Sequence, residues 1–118
     1  MHMMDWNAYR GQVVSAVGEL GKLSPDTVKG YATLGAAGAK TDHLDAKTRE
    51  LIALAVAVTL RCDGCITVHA EAARKLGLRK EEITEALGVA VAISAGAAVV
   101  YSTRTLDAFM AAHEASAA

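Results

Sequence analysis

The stretch from residue 46 to residue 60 constrains the fold of this chain most, because it decides between a helix and a strand. Large and small apolar residues alternate over residues 51–60, as they do in a half-buried strand. The small residue is usually alanine, which favours helices and is depleted in strands, and helix-forming residues 46–50 run into the segment without a turn signal. Asp45 can cap a helix that starts here. We therefore predict one helix through Leu60.

Apolar spacing and capping residues predict two helices before this one. A first helix covers about residues 6–20, where apolar residues recur at intervals of three and four, namely Trp6, Tyr9, Val13, Val17 and Leu20. Ser24, Pro25 and Asp26 have the form of an N-cap, a first-turn proline and an acid at the positive end of a helix. They predict a second helix that runs to about Gly38.

Further helices are predicted downstream. A fourth helix begins near Cys62 and ends at Gly77, after two basic residues in its last turn. A pair of acidic residues opens a fifth helix shortly afterwards. A sixth covers about residues 97–114 and is either separate from the fifth or continuous with it across Gly96.

The alternative to an all-helical chain is a thioredoxin-like α/β fold, in which a strand leads into a Cys-x-x-Cys pair at a helix start. Such proteins have a cis-proline downstream of the cysteine pair. The single proline of this chain, Pro25, lies upstream of it. We therefore predict an all-α fold of about six helices, forming one domain over residues 1–118.

The composition predicts that the chain assembles with copies of itself. Of its 118 residues 53% are hydrophobic but only 4% are aromatic, so the apolar mass is mostly small and aliphatic. A domain of this size buries few positions completely. An apolar excess in a small domain indicates that another subunit covers part of the surface, and a homo-oligomer is expected.

Charge and hydropathy narrow the possible partners and location. The formal net charge is −1, and the absence of a basic block argues against nucleic-acid binding. The apolar stretch of residues 86–101 is shorter than a membrane span, and the N-terminal residues do not resemble a secretory signal. We expect a cytoplasmic protein that binds no membrane. No cofactor fingerprint is evident.

Two cysteines carry the candidate chemistry. Cys62 and Cys65 are separated by two residues, which in a helical turn brings their Cβ atoms to about 5–6 Å, close enough for a disulfide after modest adjustment. A helix N-terminus favours the thiolate, which is the reactive form. His69 follows Cys65 by one helical turn and can take or return a thiol proton. Cys65 is therefore predicted to attack, and Cys62 to resolve the resulting sulfenic acid.

Glu50 is predicted to orient His69. If the third helix ends near residue 60 and the fourth folds back antiparallel, Glu50 lies about 15 Å and His69 about 10 Å from the turn, because a helix rises about 1.5 Å per residue. Side chains can bridge that difference. A carboxylate beside the imidazole would fix its tautomer and support the imidazolium.

The spacing Glu-x11-Cys-x2-Cys-x3-His, together with residues 47–55 (Lys-Thr-Arg-Glu-Leu-Ile-Ala-Leu-Ala), resembles the alkylhydroperoxidase D-like branch of the carboxymuconolactone decarboxylase family. The resemblance is strongest over about residues 45–90. It implies an all-helical fold assembled as trimers or hexamers. It also implies a thiol peroxidase that acts on hydroperoxides and is restored by an external dithiol, with Glu50, Cys62, Cys65 and His69 as the site.

One position departs from that pattern. Well-known peroxidases of the branch have a histidine between the cysteines, where this chain has Gly64. This leaves two other interpretations open: a protein disulfide oxidoreductase, or a non-enzymatic oligomeric module that senses redox state or binds zinc through the same four side chains. The cysteine pair argues against lactone decarboxylation.

Overall fold

The computed structural model describes residues 1–117, and within that range the chain forms helices and no strand. The all-helical prediction is confirmed, and the thioredoxin-like alternative is wrong. The predicted fifth and sixth helices are a single helix of 38 residues that continues through Gly96. The five helices are α1 (Trp6–Leu23), α2 (Pro25–Thr41), α3 (Ala46–Leu60), α4 (Asp63–Lys75) and α5 (Lys80–Ala117).

Local capping fixes the ends of α3 and α4. The Asp45 carboxylate accepts the Thr48 N–H at 2.8 Å and starts α3 at the predicted residue. The helix ends at Leu60, because the next residue, Arg61, has a left-handed backbone with φ 54°. Gly77, at φ 77°, ends α4 in a Schellman motif, in which the Leu78 N–H donates to the Ala73 carbonyl at 3.1 Å.

The core lies where α3 packs against α4 and α5. Leu54, Ala73 and Leu78 form a buried cluster, and Leu51 and Ile83 pack against it. The Schellman motif at the end of α4 thus directs Leu78 into the core. Because only Arg61 and Cys62 separate α3 from α4, these two helices form a tight helical hairpin.

Much of the remaining apolar surface is exposed. Helices α1 and α2 have no buried residue, and every residue of the distal half of α5 (residues 99–117) is exposed. The radius of gyration is 19.9 Å, against about 13–14 Å for a compact domain of this length. By length and composition α5 could cross a membrane, a property that core helices of soluble proteins share.

Candidate active site

The cysteine pair lies at the start of α4. Cys62 is the N-cap residue, Cys65 lies in the first turn, and the two form a disulfide with Cα atoms 5.2 Å apart. The Cys65 backbone N–H donates to Cys62 Sγ at 3.1 Å. The Cys62 sulfur therefore occupies the position that a capping oxygen usually takes, at the positive end of the helix dipole.

The sharp turn between α3 and α4 sets this position. After the left-handed Arg61, the Cys62 N–H donates to the Ala57 carbonyl at 3.1 Å, which holds the residue against the end of α3. The Cys62 carbonyl then accepts the Ile66 N–H at 2.9 Å and begins the α4 hydrogen-bond series. Both cysteines are half-buried, so they are shielded but reachable.

Glu50 of α3 and His69 of α4 meet beneath this turn. Glu50 Oε2 lies 2.8 Å from His69 Nδ1, and the two side chains are 21% and 32% exposed, respectively. An ionised carboxylate can only accept, so Nδ1 carries the hydrogen and donates it. The Nε2 lone pair of neutral His69 is then free to accept a proton. The catalytic roles of these residues remain predictions, but the contact itself agrees with the helix-rise estimate.

An apolar groove of about 590 Å³ runs past both cysteines and His69. Its walls come from α1, α2 and α4. Among the groove-lining residues in the part of the chain that the structure describes, none is Asp, Glu, Lys or Arg. The residues are Val13, Val14, Val17, Leu20, Thr27, Val28, Tyr31, Cys62, Gly64, Cys65, Val68 and His69. The candidate site is thus a reactive pair and an imidazole on the side of an uncharged groove.

Gly64 faces α1 inside this groove. A Cβ built at Gly64 would lie 3.6 Å from the Val13 side chain, which is ordinary van der Waals contact. A longer side chain at this position would extend into the space between α1 and α4. The glycine therefore leaves the groove open next to the sulfurs.

The contribution of α1 and α2 to the site was not predicted. The sequence identified the apolar stripe of α1 only as one face of an amphipathic helix, and in the structure its Val17 and Leu20 are 37% and 50% exposed and line the groove. A buried hydroxyl fixes α1 against α4, because Thr67 Oγ1 donates to the Trp6 carbonyl at 3.1 Å. Apolar periodicity identified the stripe but could not tell core from groove.

The zinc interpretation requires four donors in one cluster. Within residues 1–117, no three His, Cys, Asp or Glu side chains are grouped so that they could hold a metal ion. In this disulfide form the cysteine sulfurs are bonded to each other rather than available as thiolate ligands.

Comparison with known proteins identifies the family. Residues 25–108 match the model of the carboxymuconolactone decarboxylase family. An uncharacterized protein of Haemophilus influenzae is 52% identical over 105 residues, which are 89% of this chain and 93% of that protein. "Uncharacterized protein 4 in cox locus" of Paracoccus denitrificans is 34% identical over 92 residues, covering 78% of this chain and 83% of that protein.

A solved structure agrees with these matches. The crystal structure of an apo carboxymuconolactone decarboxylase family protein from Legionella pneumophila superposes with a TM-score of 0.71 at 35% sequence identity. The alignment covers 88% of this chain and 93% of that one.

Proposed function

The chain belongs to the carboxymuconolactone decarboxylase family, and from this premise we propose that it is a thiol-dependent peroxidase that reduces hydroperoxides. The reaction would use a Cys62/Cys65 dithiol–disulfide cycle, with Glu50 and His69 as the proton relay. One observation supports the proposal above all: a cysteine pair able to form a disulfide lies along the same groove as a carboxylate-bound imidazole. Together they provide a nucleophile, a resolving thiol and a base.

The first half-reaction is nucleophilic. His69 takes the Cys65 thiol proton at Nε2, and the thiolate attacks one oxygen of the hydroperoxide. The O–O bond breaks, the leaving alkoxide receives the proton from His69, and Cys65 becomes a sulfenic acid. Cys65 is favoured as the nucleophile because His69 follows it by one turn on the same helix.

The second step closes the disulfide. The Cys62 thiol attacks the sulfenic sulfur, the S–S bond forms, and water leaves with the hydroxyl and the Cys62 proton. The two thiols have then supplied two electrons that reduce the hydroperoxide to an alcohol and water. An external dithiol returns both sulfurs to the thiol form by exchange through a mixed disulfide.

Glu50 acts through His69 and is a positioning residue. Its carboxylate holds the imidazole with Nε2 free and stabilises the imidazolium that forms when the thiol loses its proton. Glu50→Gln keeps the shape of the side chain but removes this charge. We expect this variant to shift the pH dependence of thiol oxidation, and Glu50→Asp to recover part of the wild-type profile.

A protein disulfide oxidoreductase is the second candidate. Gly64 leaves space beside the half-buried sulfurs, where a peptide thiol could approach. Rapid exchange with a model protein disulfide, combined with slow oxidation by peroxide, would favour it. A redox-sensing or zinc-binding module would instead show metal uptake or a change of assembly without turnover.

The setting follows from the same proposal. The protein would be one helical domain in the cytoplasm, where an external dithiol is available. It would assemble as a homo-oligomer, a trimer or a hexamer, because the distal half of α5 leaves Val100, Leu106 and Phe109 66–69% exposed. We expect neither nucleic acid nor membrane among its partners.

Thiol oxidation kinetics test the proposed function. Reduced protein is mixed with cumene hydroperoxide, and the loss of free thiols is followed in time. Removing a general base lowers the rate by about 10²-fold or more, which is the effect expected of His69→Ala. The matched control is His43→Ala, which changes an exposed histidine in the turn between α2 and α3. Equal rates in wild type and His69→Ala would contradict the proton relay.

A further inference from the structure

We propose that α1 and α2 form a tail-binding site that makes this enzyme select organic hydroperoxides with a bulky apolar group over hydrogen peroxide. The inference rests on the proposed peroxidase function. Its determinants are Val17 and Leu20 of α1 with Val28 and Tyr31 of α2, called here the α1–α2 wall. These residues line the groove without belonging to the predicted catalytic set.

The chemistry of the groove defines the ligand. Apart from His69 and the cysteines, its polar groups are the hydroxyls of Thr27 and Tyr31. An anionic or cationic ligand would find no ion-pairing partner among the described lining residues. An apolar group would cover surface that is otherwise open to water, since Leu20 is 50% and Tyr31 64% exposed. Hydrogen peroxide has no such group and would gain nothing from the wall.

The size of the groove fits a substrate tail. Its volume of about 590 Å³ lies within the range of about 300–1,000 Å³ that is usual for small-molecule sites. The reactive sulfurs and His69 occupy the α4 side, and the wall residues occupy the α1 and α2 sides. A hydroperoxide could therefore present its O–O bond to Cys65 while its tail contacts the wall.

The wall is held in place relative to the sulfurs. Thr67, only 2% exposed, fixes the beginning of α1 to α4 through the Trp6 carbonyl. Helices α1 and α2 also approach each other closely, because a Cβ built at Gly21 of α1 would lie 3.6 Å from the Val28 side chain of α2. Such fixed contacts allow a remote group of the substrate to orient the reacting bond.

The α1 side of the wall lies outside the part of the chain that defines the family. The family match covers residues 25–108, whereas α1 spans Trp6–Leu23. Val17 and Leu20 therefore lie outside the matched range that contains the cysteines. Tail selection would then depend on residues beyond that range.

The test compares two peroxides on matched variants. Second-order rate constants for thiol oxidation are measured with cumene hydroperoxide and with hydrogen peroxide, and their ratio is the readout. Leu20→Asn and Tyr31→Ser change the wall from two different helices. Leu23→Asn and Leu34→Ser are the controls, since both leucines are well exposed on the same helices, at 87% and 77%, and do not line the groove.

We expect the ratio to favour cumene hydroperoxide in wild type and to fall about tenfold in each wall variant, as expected when apolar contact in a pocket is lost. The controls should keep the wild-type ratio. Circular dichroism confirms that each variant is folded. Because two helices are changed independently, the failure of one variant to fold leaves the other as a test.

Two results would overturn the inference in different ways. Rapid oxidation with the same ratio in wild type and wall variants would reject the tail site but leave the peroxidase function standing. The tail site would also be rejected, with the peroxidase function still standing, if the wall variants changed only the assembly state. A second copy of the chain would then be the occupant of the groove. No thiol loss with either peroxide in wild type would reject the proposed function and the inference together.

Discussion

The α3–α4 hairpin and the distal half of α5 both contain apolar side chains, but they differ in whether those side chains are buried within the chain. The hairpin contains the buried Leu54 and Ala73, a capped start, a Schellman end and the candidate site. The distal half of α5 is as apolar but makes no buried contact within the chain. A helix that is apolar on all sides normally lies inside a larger core. The candidate site is therefore built on the buried hairpin, whereas the proposed homo-oligomer would use another copy of the chain to cover the distal half of α5.

The largest effect is expected in the core of the hairpin. Leu54 is 5% exposed, and Leu54→Ala removes its side chain from the cluster of α3, α4 and α5. We expect the free energy of unfolding to fall by about 2–5 kcal/mol. Chemical denaturation at fixed protein concentration measures it. The control is Ile52→Ala on the same helix, where the side chain is 47% exposed. A similar loss of stability in both variants would show that burial of Leu54 does not decide the stability of the hairpin.

The distal half of α5 should show its effect through assembly. Phe109 is 66% exposed, and Phe109→Glu places a charge on this apolar surface. We expect the variant to weaken the proposed homo-oligomer, with a loss of about 2 kcal/mol of association free energy, roughly 30-fold in the dissociation constant. Sedimentation across a concentration series measures it. Thr103→Glu is the control, because it adds the same charge at a polar position about 120° around the same helix from Phe109. A wild-type chain that is monomeric at high concentration would contradict the account.

A smaller effect is expected at the end of α4. Gly77 has φ 77°, where a side chain is strained although no atom blocks a Cβ there. Gly77→Ala should cost about 1–2 kcal/mol of stability because the left-handed backbone disfavours Cβ. Gly88→Ala is the control, since this glycine lies inside α5 with open space around it. Thermal unfolding distinguishes the two, and an unchanged Gly77→Ala protein would argue against the Schellman end.

The smallest effect concerns the cap of α3. The backbone N–H of Thr48 lowers the pKa of Asp45, so the folded state favours the carboxylate. A depressed pKa contributes stability above about pH 4, and the contribution is lost as the pH falls through the lower folded value. The difference in melting temperature between wild type and Asp45→Asn should therefore shrink between pH 6 and pH 3. A difference that stays constant would show that the charge plays no part.

The sequence predicted those features that depend on near neighbours. The Asp45 cap and the good helix formers behind it set the start of α3, and a simple rise per residue related Glu50 to His69. Ser24 lies at the predicted N-cap position, but its hydroxyl bonds Thr27 Oγ1 at 2.7 Å rather than a backbone N–H. Short-range signals therefore gave the positions of helix ends more reliably than the contacts made there.

Features that depend on distant packing could not be predicted. The α2 helix was expected to end near Gly38 but runs to Thr41, where the left-handed Asp42 accepts a hydrogen bond from Arg49 of α3 at 3.2 Å. Continuity of α5 across Gly96 was open, since one glycine costs only about 1 kcal/mol in a helix and packing decides the outcome. The groove requires the relative placement of α1, α2 and α4, which no local pattern contains.

In the proposed function, Cys62 and Cys65 reduce a hydroperoxide as a pair. The most direct measurement is a titration of free thiols in metal-free, reduced protein before and after one equivalent of cumene hydroperoxide, with the alcohol product quantified. We expect a fall from two thiols to none per chain and one equivalent of alcohol, with Cys65→Ser unable to form the disulfide. Two surviving thiols and unreacted hydroperoxide would contradict it.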